Sequence, residues 1–400
     1  MEIAKSNPYL PPEILDHIID LLRENWETLK QCCLVSRSWV PRTQEHLFAH
    51  VEFKSEPDYD KWKKAFPDPI GSPAYHAHTL TVDGSLRGAE DSGWIQGFSR
   101  VERLIVAGDW AGWTTTISLF PFHRLAPSLK SLRVSFVVLW HSQILDLVRS
   151  LPLLEDLTLS GHEVFFDDDE RDGPPVVASP STSPSPALTG TLDIFIWEGV
   201  GRTLSQLLDL PGGCRFRKVR LPRCVESDLP RVVELVAACS DTLEHLEISR
   251  VVDGTLAPPL DRQFVESLST GDDTPTQISL SNATKLKEIV FWCSSPDSGW
   301  VTATLQTITP EHWGLQQISI RIPYAPTGDE EKRETIERIE TAKPGMRWSD
   351  LDRLLVQLWE SRLIRPKIVY PPAMDGIKAK DWASYLLPET TRRGTIDLVS

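Results

Sequence analysis

Cysteine is scarce in this 400-residue sequence, which has six, and no two of them are spaced as Cys-x-x-Cys. They also follow no regular ladder, so the sequence predicts neither a zinc site nor a disulfide framework. We interpret them as buried thiols of a reducing compartment. They are Cys32, Cys33, Cys214, Cys224, Cys239 and Cys293.

Long apolar runs are missing as well. The stretch from Val134 to Trp140 is interrupted by Ser135 and is too short to cross a bilayer. Residues 1–10 lack the charged start and the apolar run of a secretory signal. We therefore expect a cytoplasmic or nuclear protein with no membrane partner.

Positive charge is the third shortage. The formal net charge is −14, and no segment gathers the lysines and arginines that binding to a phosphate backbone requires. Apolar residues nevertheless make up 40% of the chain and charged residues 24%, which is ordinary for a globular protein. The composition predicts folded units that do not bind nucleic acid.

Signatures of catalysis are also absent. The sequence has no phosphate-binding Gly-x-x-x-x-Gly-Lys-Ser/Thr loop, no His-Glu-x-x-His and no Gly-x-Ser-x-Gly. His76 and His78 are the closest pair of histidines, and a solvated or core role is favoured for them over a metal site. We therefore predict no catalytic residue, metal or cofactor, while a dispersed Ser, His and Asp triad stays open.

The first positive feature of the sequence is an apolar helical pattern near its start. From Leu10 as far as Arg23, apolar residues recur at helical spacing. They cover roughly 160° of the helix circumference, more than the roughly 100° that faces a single core. Two more apolar helical segments follow, within residues 29–39 and 40–48. So small a unit has more apolar surface than it can bury, and something else must cover one side.

Residues 10–48 resemble the F-box family. The resemblance rests on Leu10-Pro11-x-Glu13-Ile14, Ile18, Leu21-Leu22, Leu29, Leu34-Val35-Ser36-Arg37-x-Trp39 and Phe48. In that family these helices pack against the C-terminal helices of a Skp adaptor. The resemblance implies adaptor-contacting or supporting roles for Leu10, Pro11, Ile14, Ile18, Leu34, Val35 and Trp39. The alternative is that the three helices only cap the end of a repeat array and bury their extra face there.

A six-residue pattern, apolar-x-x-apolar-x-apolar, recurs from residue 77 onward and is typical of leucine-rich-repeat strands. Nine copies occur, the fifth of them partial, and six of their eight spacings are 24 to 29 residues. A random α/β protein would also show some of these hexads. Their middle apolar residues are Leu80, Leu104, Leu132, Leu157, Leu192, Val219, Leu246, Ile289 and Ile318.

Helical segments separate the hexads, for example residues 229–238, for which Asp228 stands in a capping position. One strand and one helix cannot bury their own apolar faces, so stacked neighbours would supply the core and align the strands in parallel. The sequence thus predicts an α/β fold, in which a three-helix F-box precedes an irregular leucine-rich-repeat solenoid with a parallel sheet. This order resembles the large F-box families of fungi.

The domain boundaries follow from these patterns. A Pro/Ser-rich stretch at residues 165–187 and a Pro/Gly/Asp-rich stretch at residues 252–276 are expected to be disordered insertions in the array. A charged helix, a second helix with one leucine-rich face and a last edge strand at residues 365–370 are expected after it. The predicted ranges are an F-box at 1–54, a linker at 55–74, the solenoid at 75–325 with insertions at 165–187 and 252–276, and a helical cap and tail at 326–400.

The inner surface of the solenoid is the predicted binding surface for a protein target. Side chains alternate along a strand, so the variable residues of each hexad face away from the core. Trp and Arg are frequent interface anchors, although Trp292 could instead be covered by a neighbouring loop. The candidates are Arg133, Arg220, Glu247, Trp292 and Arg321.

The resemblance implies a substrate-recognition subunit of a cullin-type ubiquitin ligase, which binds a Skp adaptor, and through it a cullin, and presents a protein target of unknown identity. Such a subunit is not itself an enzyme. The alternatives are an adaptor-binding scaffold or regulator outside any ligase, and an enzyme on an unrecognised α/β fold.

Overall fold

Helices and strands alternate along the chain in the computed structural model, which divides into two compact units. The first unit comprises residues 1–154 and 165–183, and the second comprises residues 155–164 and 184–400. The structure describes residues 10–83, 92–108, 120–135, 139–161, 164–165, 188–196, 200–250, 277–293, 299–321, 348–362, 364–369, 383–394 and 397–399.

The first unit begins with three helices and continues with strands. Its elements are α1 (Pro12–Leu21), α2 (Trp26–Val35), α3 (Val40–Leu47), β1 (His50–Phe53), α4 (Glu56–Ala65), β2 (Thr79–Asp83), β3 (Arg103–Ala107), β4 (Ser131–Ser135), β5 (Leu139–Trp140) and α5 (His141–Ser150). Short 3-10 helices lie at Pro73–His76, Ser92–Gly97 and Phe120–Leu125. Strands β1 to β4 pair in parallel in chain order.

The following elements are β6 (Asp156–Gly161), β7 (Val164–Phe165), β8 (Thr191–Ile196), α6 (Val200–Leu208), β9 (Lys218–Cys224), α7 (Leu229–Ala238), β10 (His245–Arg250), β11 (Glu288–Cys293), α8 (Gly299–Leu305), β12 (Gln317–Arg321), α9 (Trp348–Arg362), β13 (Arg365–Val369), α10 (Pro388–Arg392) and β14 (Asp397–Val399). Within the second unit, β6 pairs with β8, and β8 to β14 then pair in parallel in chain order.

The middle apolar residue of each hexad lies in the core. In the first unit Leu80, Leu104 and Leu132 are register partners on adjacent strands, and each is fully buried. In the second unit the corresponding ladder is Leu157, Leu192, Val219, Leu246, Ile289 and Ile318. All nine hexads form strands, and the predicted α/β fold with parallel strands is confirmed.

An aromatic cluster forms where the sequence predicted a linker, at residues 55–74. That stretch contains α4, and the ring of Phe53 on β1 lies 5.7 Å from the Trp62 ring and 5.4 Å from the Trp94 ring between centroids. Phe48, at the end of α3, also contacts Trp62, with centroids 6.0 Å apart. Aromatic burial therefore ties α3, β1 and α4 together.

The C-terminal part of the second unit is held by a buried carboxylate. Asp352 on α9 accepts hydrogen bonds from the backbone N–H groups of Glu389, at 2.7 Å, and Thr390, at 2.9 Å. It thereby caps the first turn of α10.

The strand at residues 365–369 is confirmed, but the prediction that it is an edge strand is wrong because β14 pairs with it.

Three predicted features lie outside the described residues. They are the two insertions at 165–187 and 252–276 and the charged helix at 330–341. Residue 165 is the one exception, and only its backbone is described.

Candidate docking surfaces

The three N-terminal helices share a small core of their own. Each contributes one buried side chain, namely Ile19 from α1, Leu29 from α2 and Leu47 from α3. Partly buried side chains that pack against these three are Leu22, Cys33, Trp39 and Phe48. This core uses only one side of α1, which has apolar residues on a much wider arc.

A polar contact fixes how α1 is rotated about its axis. Asp20 on α1 accepts hydrogen bonds from Arg42 on α3, Nε to Oδ1 at 2.6 Å and a terminal guanidinium N–H to Oδ2 at 2.8 Å. His46 Nε2 lies 2.7 Å from Oδ1 of the same carboxylate. The hydrogen bonds from Arg42 and His46 hold the pKa of Asp20 well below its ordinary value. Asp20 therefore faces α3, whereas Ile14, Ile18 and Leu21 on the same helix are exposed.

Those apolar residues are exposed. Seven of the twelve exposed large apolar side chains in the described part of the chain lie within residues 10–35, and Leu34 is 80% exposed. We name six of them the α1–α2 apolar face: Leu10, Ile14, Ile18, Leu21, Leu34 and Val35. Four of these six side chains lie on or just before α1 and two lie at the end of α2, and exposed apolar side chains in such number on a small helical unit often mark an interface.

The residues that the resemblance implicates fall into two groups. Five of them belong to the α1–α2 apolar face, and Pro11 is exposed beside it. Trp39 is half-buried against the helix core, so its position suits support rather than contact. Leu21 and Trp26 are exposed here but were not predicted as site residues, although Leu21 continues the helical spacing of Ile14 and Ile18.

A second arrangement lies in the second unit, around Glu247, on the face of the sheet opposite the buried hexad side chains. This carboxylate is only 3% exposed. Arg220 Nε donates to its Oε2 at 3.0 Å, while Trp292 Nε1 at 2.8 Å and Arg321 at 3.0 Å donate to its Oε1. Four of the five predicted target-binding residues are therefore in direct contact, across strands β9 to β12.

Burial and hydrogen bonding act on the Glu247 carboxyl in opposite directions. Burial alone would raise its pKa, but the nearby His245, the hydrogen bonds from Trp292 and Arg220 and the charge of Arg321 together lower the pKa to about 2. Glu247 is thus ionised at neutral pH, and it holds the two arginines in fixed positions. We name Glu247, Arg220, Trp292 and Arg321 the Glu247 network.

Neighbouring side chains extend the Glu247 network. Arg220 also donates to Asp193 at 2.9 Å, and the Arg321 guanidinium lies 4.9 Å from the centroid of the Trp292 ring. His245 Nδ1 lies 2.9 Å from a carboxylate oxygen of Glu288. His245 was not predicted, yet it precedes Glu247 by two residues and must share its face of the strand.

The fifth predicted residue, Arg133, lies in the first unit. It is exposed on β4, and its Nε is 3.3 Å from the hydroxyl oxygen of Ser135. It takes no part in the Glu247 network. Within that network the side chains of Arg220 and Arg321 are 37% and 33% exposed.

The thiols do not form a reactive centre in the described residues. None of the six cysteines is in a disulfide, and burial raises the pKa of Cys214 to about 12 and that of Cys239 to about 11. Both are protonated at neutral pH.

No three His, Cys, Asp or Glu side chains within the described residues are grouped so as to hold a metal ion.

In the same residues, no helix combines the length and apolarity needed to cross a membrane. A scan against protein-family models found no match, and a search of curated proteins found none either.

Proposed function

We propose that this protein is the substrate-recognition subunit of a Skp/cullin/F-box ubiquitin ligase of the cytoplasm or nucleus. The three N-terminal helices act as an F-box that binds a Skp adaptor, and the adaptor binds a cullin. The inner surface of the strands holds a protein target. The observation that carries this proposal is the α1–α2 apolar face, which no described part of the chain covers.

The size of this face suits a stable partner. Fully burying one exposed large aliphatic side chain contributes about 1.5 to 3 kcal/mol, and these six are 38% to 80% exposed, so covering them contributes roughly 5 to 11 kcal/mol. That is of the same order as the loss of translational and rotational freedom on association. Ile14, Ile18 and Leu21 recur at helical spacing along α1, a pattern that fits an apolar partner helix laid alongside it.

The role of the repeats in this proposal is to bring a target close to the conjugating enzyme. Holding the target raises its local concentration and orients its lysine, which requires no catalytic residue in this chain. Arg220 and Arg321, fixed by Glu247, and the half-buried Trp292 are the candidate target contacts, since Arg and Trp are frequent anchors at protein interfaces.

Replacing both Leu10 and Pro11 by Ala tests the docking step. Isothermal titration of a purified Skp adaptor should show binding weakened by about 2 kcal/mol or more. Ile70→Ala is the matched control, because Ile70 is 79% exposed but lies outside the face. An unchanged affinity in the double variant would remove the F-box assignment.

A second measurement separates a ligase subunit from an adaptor-binding scaffold. A target is first identified by proximity labelling, as a protein that the intact chain labels and that the full-length double variant Arg220→Ala and Arg321→Ala does not. This target is then incubated with the assembled adaptor, cullin and conjugating enzyme. Ubiquitination that depends on this chain is the expected result. Adaptor binding without any target ubiquitination would favour the scaffold.

A further inference from the structure

Trp313 is the most exposed large apolar side chain in the described residues, with 90% of its surface accessible. It lies in the turn between α8 and β12 of the second unit. Its neighbours His312 and Leu315 are buried, at 1% and 5% exposure, and they hold the turn to the core. The fold therefore does not need an indole at position 313.

The turn that carries Trp313 is rigid. His312 Nδ1 accepts a hydrogen bond from the Thr309 N–H at 3.1 Å, and His312 Nε2 donates to the Leu280 carbonyl at 2.8 Å. The Leu315 N–H donates to the His312 carbonyl at 3.1 Å and closes the turn. A side chain presented on a fixed turn loses little backbone freedom when it binds.

Basic side chains lie beside this turn, where strands β9 to β12 begin. The residues that precede these strands are joined in a row, because Glu244 N–H donates to the Arg217 carbonyl at 2.7 Å and Lys287 N–H to the Glu244 carbonyl at 2.8 Å. The Gln316 N–H continues the row to the Lys287 carbonyl at 2.8 Å. We name the leading edge as the side chains of Trp313, Arg215, Arg217, Lys285 and Lys287.

The leading edge differs in charge from the chain as a whole. Its four basic side chains are exposed, and the carboxylates around them are Asp241, Glu244 and Glu311. Lys287 pairs with Glu244 at 2.5 Å, and this hydrogen bond, with the charges of Arg217 and Lys285, lowers the pKa of Glu244. Four basic side chains against three carboxylates leave an excess of one positive charge, which favours an acidic ligand at this edge of a chain whose net charge is −14.

We propose that the leading edge is a docking surface for an acidic segment of a partner protein that places an apolar side chain against the Trp313 indole. Tryptophan and arginine are the residue types most often found at the energetic centre of protein interfaces. An anionic membrane is less well matched, because a continuous lipid surface would also lie against the carboxylates of Asp241, Glu244 and Glu311, whereas a peptide can place its acids beside the basic side chains alone. This surface is independent of the α1–α2 apolar face.

Fluorescence anisotropy with the full chain tests the proposal. The probe is a fluorescein-labelled peptide of glutamates flanking a central pair of leucines, and its counterpart has lysines in place of the glutamates. The glutamate peptide should bind more tightly, and Trp313→Ala should weaken it about tenfold. The double variant Lys285→Glu and Lys287→Glu should also weaken it about tenfold, and salt should weaken the wild-type complex.

Matched controls lie in the first unit. Ile70→Ala removes another exposed apolar side chain, and Lys130→Glu removes a lysine that pairs with Glu102 at 3.0 Å as Lys287 pairs with Glu244. Neither should change peptide affinity. Any of four outcomes would overturn the proposal: no peptide binding, equal binding of the lysine peptide, unchanged affinity in Trp313→Ala, or preferential binding to phosphatidylserine vesicles. None of these outcomes bears on adaptor binding.

Discussion

Glu247 accepts hydrogen bonds from side chains on three other strands, those of Arg220, Trp292 and Arg321. A buried carboxylate is costly unless it is paired and hydrogen-bonded, and here each oxygen has at least one donor. Its side chain is therefore a fixed anchor under the arginines. Removing it would release Arg321 and Trp292 and would leave Arg220 paired with Asp193 alone.

Replacing Glu247 by Gln should lower the free energy of unfolding by about 3 kcal/mol at neutral pH, since the pKa depression corresponds to that amount. The folded-state pKa of about 2 lies below the ordinary value of 4.5, so the ionised carboxylate stabilises the fold above pH 4.5. This contribution is lost as the pH falls from 4.5 towards 2. Urea titrations of wild type and variant across this range measure it.

The difference between the two proteins should therefore shrink in acid. Glu244→Gln, just before the same strand, is the control, because Glu244 forms a half-exposed pair with Lys287 that should contribute less than about 1 kcal/mol. A Glu247→Gln variant that is as stable as wild type at neutral pH would show that the Glu247 network does not stabilise the second unit.

Asp228 shows what local sequence preference leaves out. Its position before a helix predicted a cap, and it does stand at the start of α7. Its carboxylate, however, accepts hydrogen bonds from the Val225 N–H at 3.1 Å and the Gly201 N–H at 2.8 Å, in a different helix. A Cβ at position 201 would come within 2.6 Å of Asp228 Oδ1, which explains the glycine there.

At the scale of elements, α2 has two contrasting faces. Leu29 is fully buried in the helix core, whereas Leu34 is 80% exposed. Leu29→Ala should lower the free energy of unfolding by about 2 to 5 kcal/mol, and Leu34→Ala by less than about 0.5 kcal/mol. Chemical denaturation followed by circular dichroism compares them. Equal losses would mean that the chain itself covers Leu34.

The aromatic cluster around Phe53 gives another prediction at this scale. Phe53 is 2% exposed and contacts the rings of Tyr59, Trp62, Trp94 and Phe98. Phe53→Ala should destabilise the first unit by about 3 to 5 kcal/mol. Limited trypsin digestion should then cut faster after Lys63 and Lys64 of α4. Cleavage there at the same rate in wild type would indicate that α4 is not held by the aromatic cluster.

The strands were predictable where the hexad is complete. Leu246 and Ile289 are examples of predicted strand residues, because apolar residues at fixed spacing must face one core. The strand β1 was missed, since Val51 and Phe53 alone are too short an alternation to recognise. The burial of Glu247 was missed because the hexad predicts only which face of the sheet a side chain points to. It does not predict that long side chains on neighbouring strands, here Arg220, Trp292 and Arg321, cover the carboxylate.

At the scale of the whole molecule, the two units carry different surfaces. The first has the α1–α2 apolar face and the second has the Glu247 network and the leading edge. Parallel stacking of strand and helix units explains how a chain with irregular repeat lengths keeps a continuous apolar ladder in each unit. The proposed function requires that a foreign helix, and no segment of this chain, covers the apolar face.

Cysteine accessibility tests that requirement most directly. Leu34→Cys and Ile70→Cys place a thiol at two positions of nearly equal exposure, 80% and 79%, in a chain whose own thiols are buried or half-buried. Both should react with a maleimide at similar rates in the isolated protein. Adding a Skp adaptor should slow labelling at position 34 by about tenfold or more and leave position 70 unchanged. Equal labelling of both positions with the adaptor present, or protection of position 34 in the isolated chain, would contradict the proposed docking.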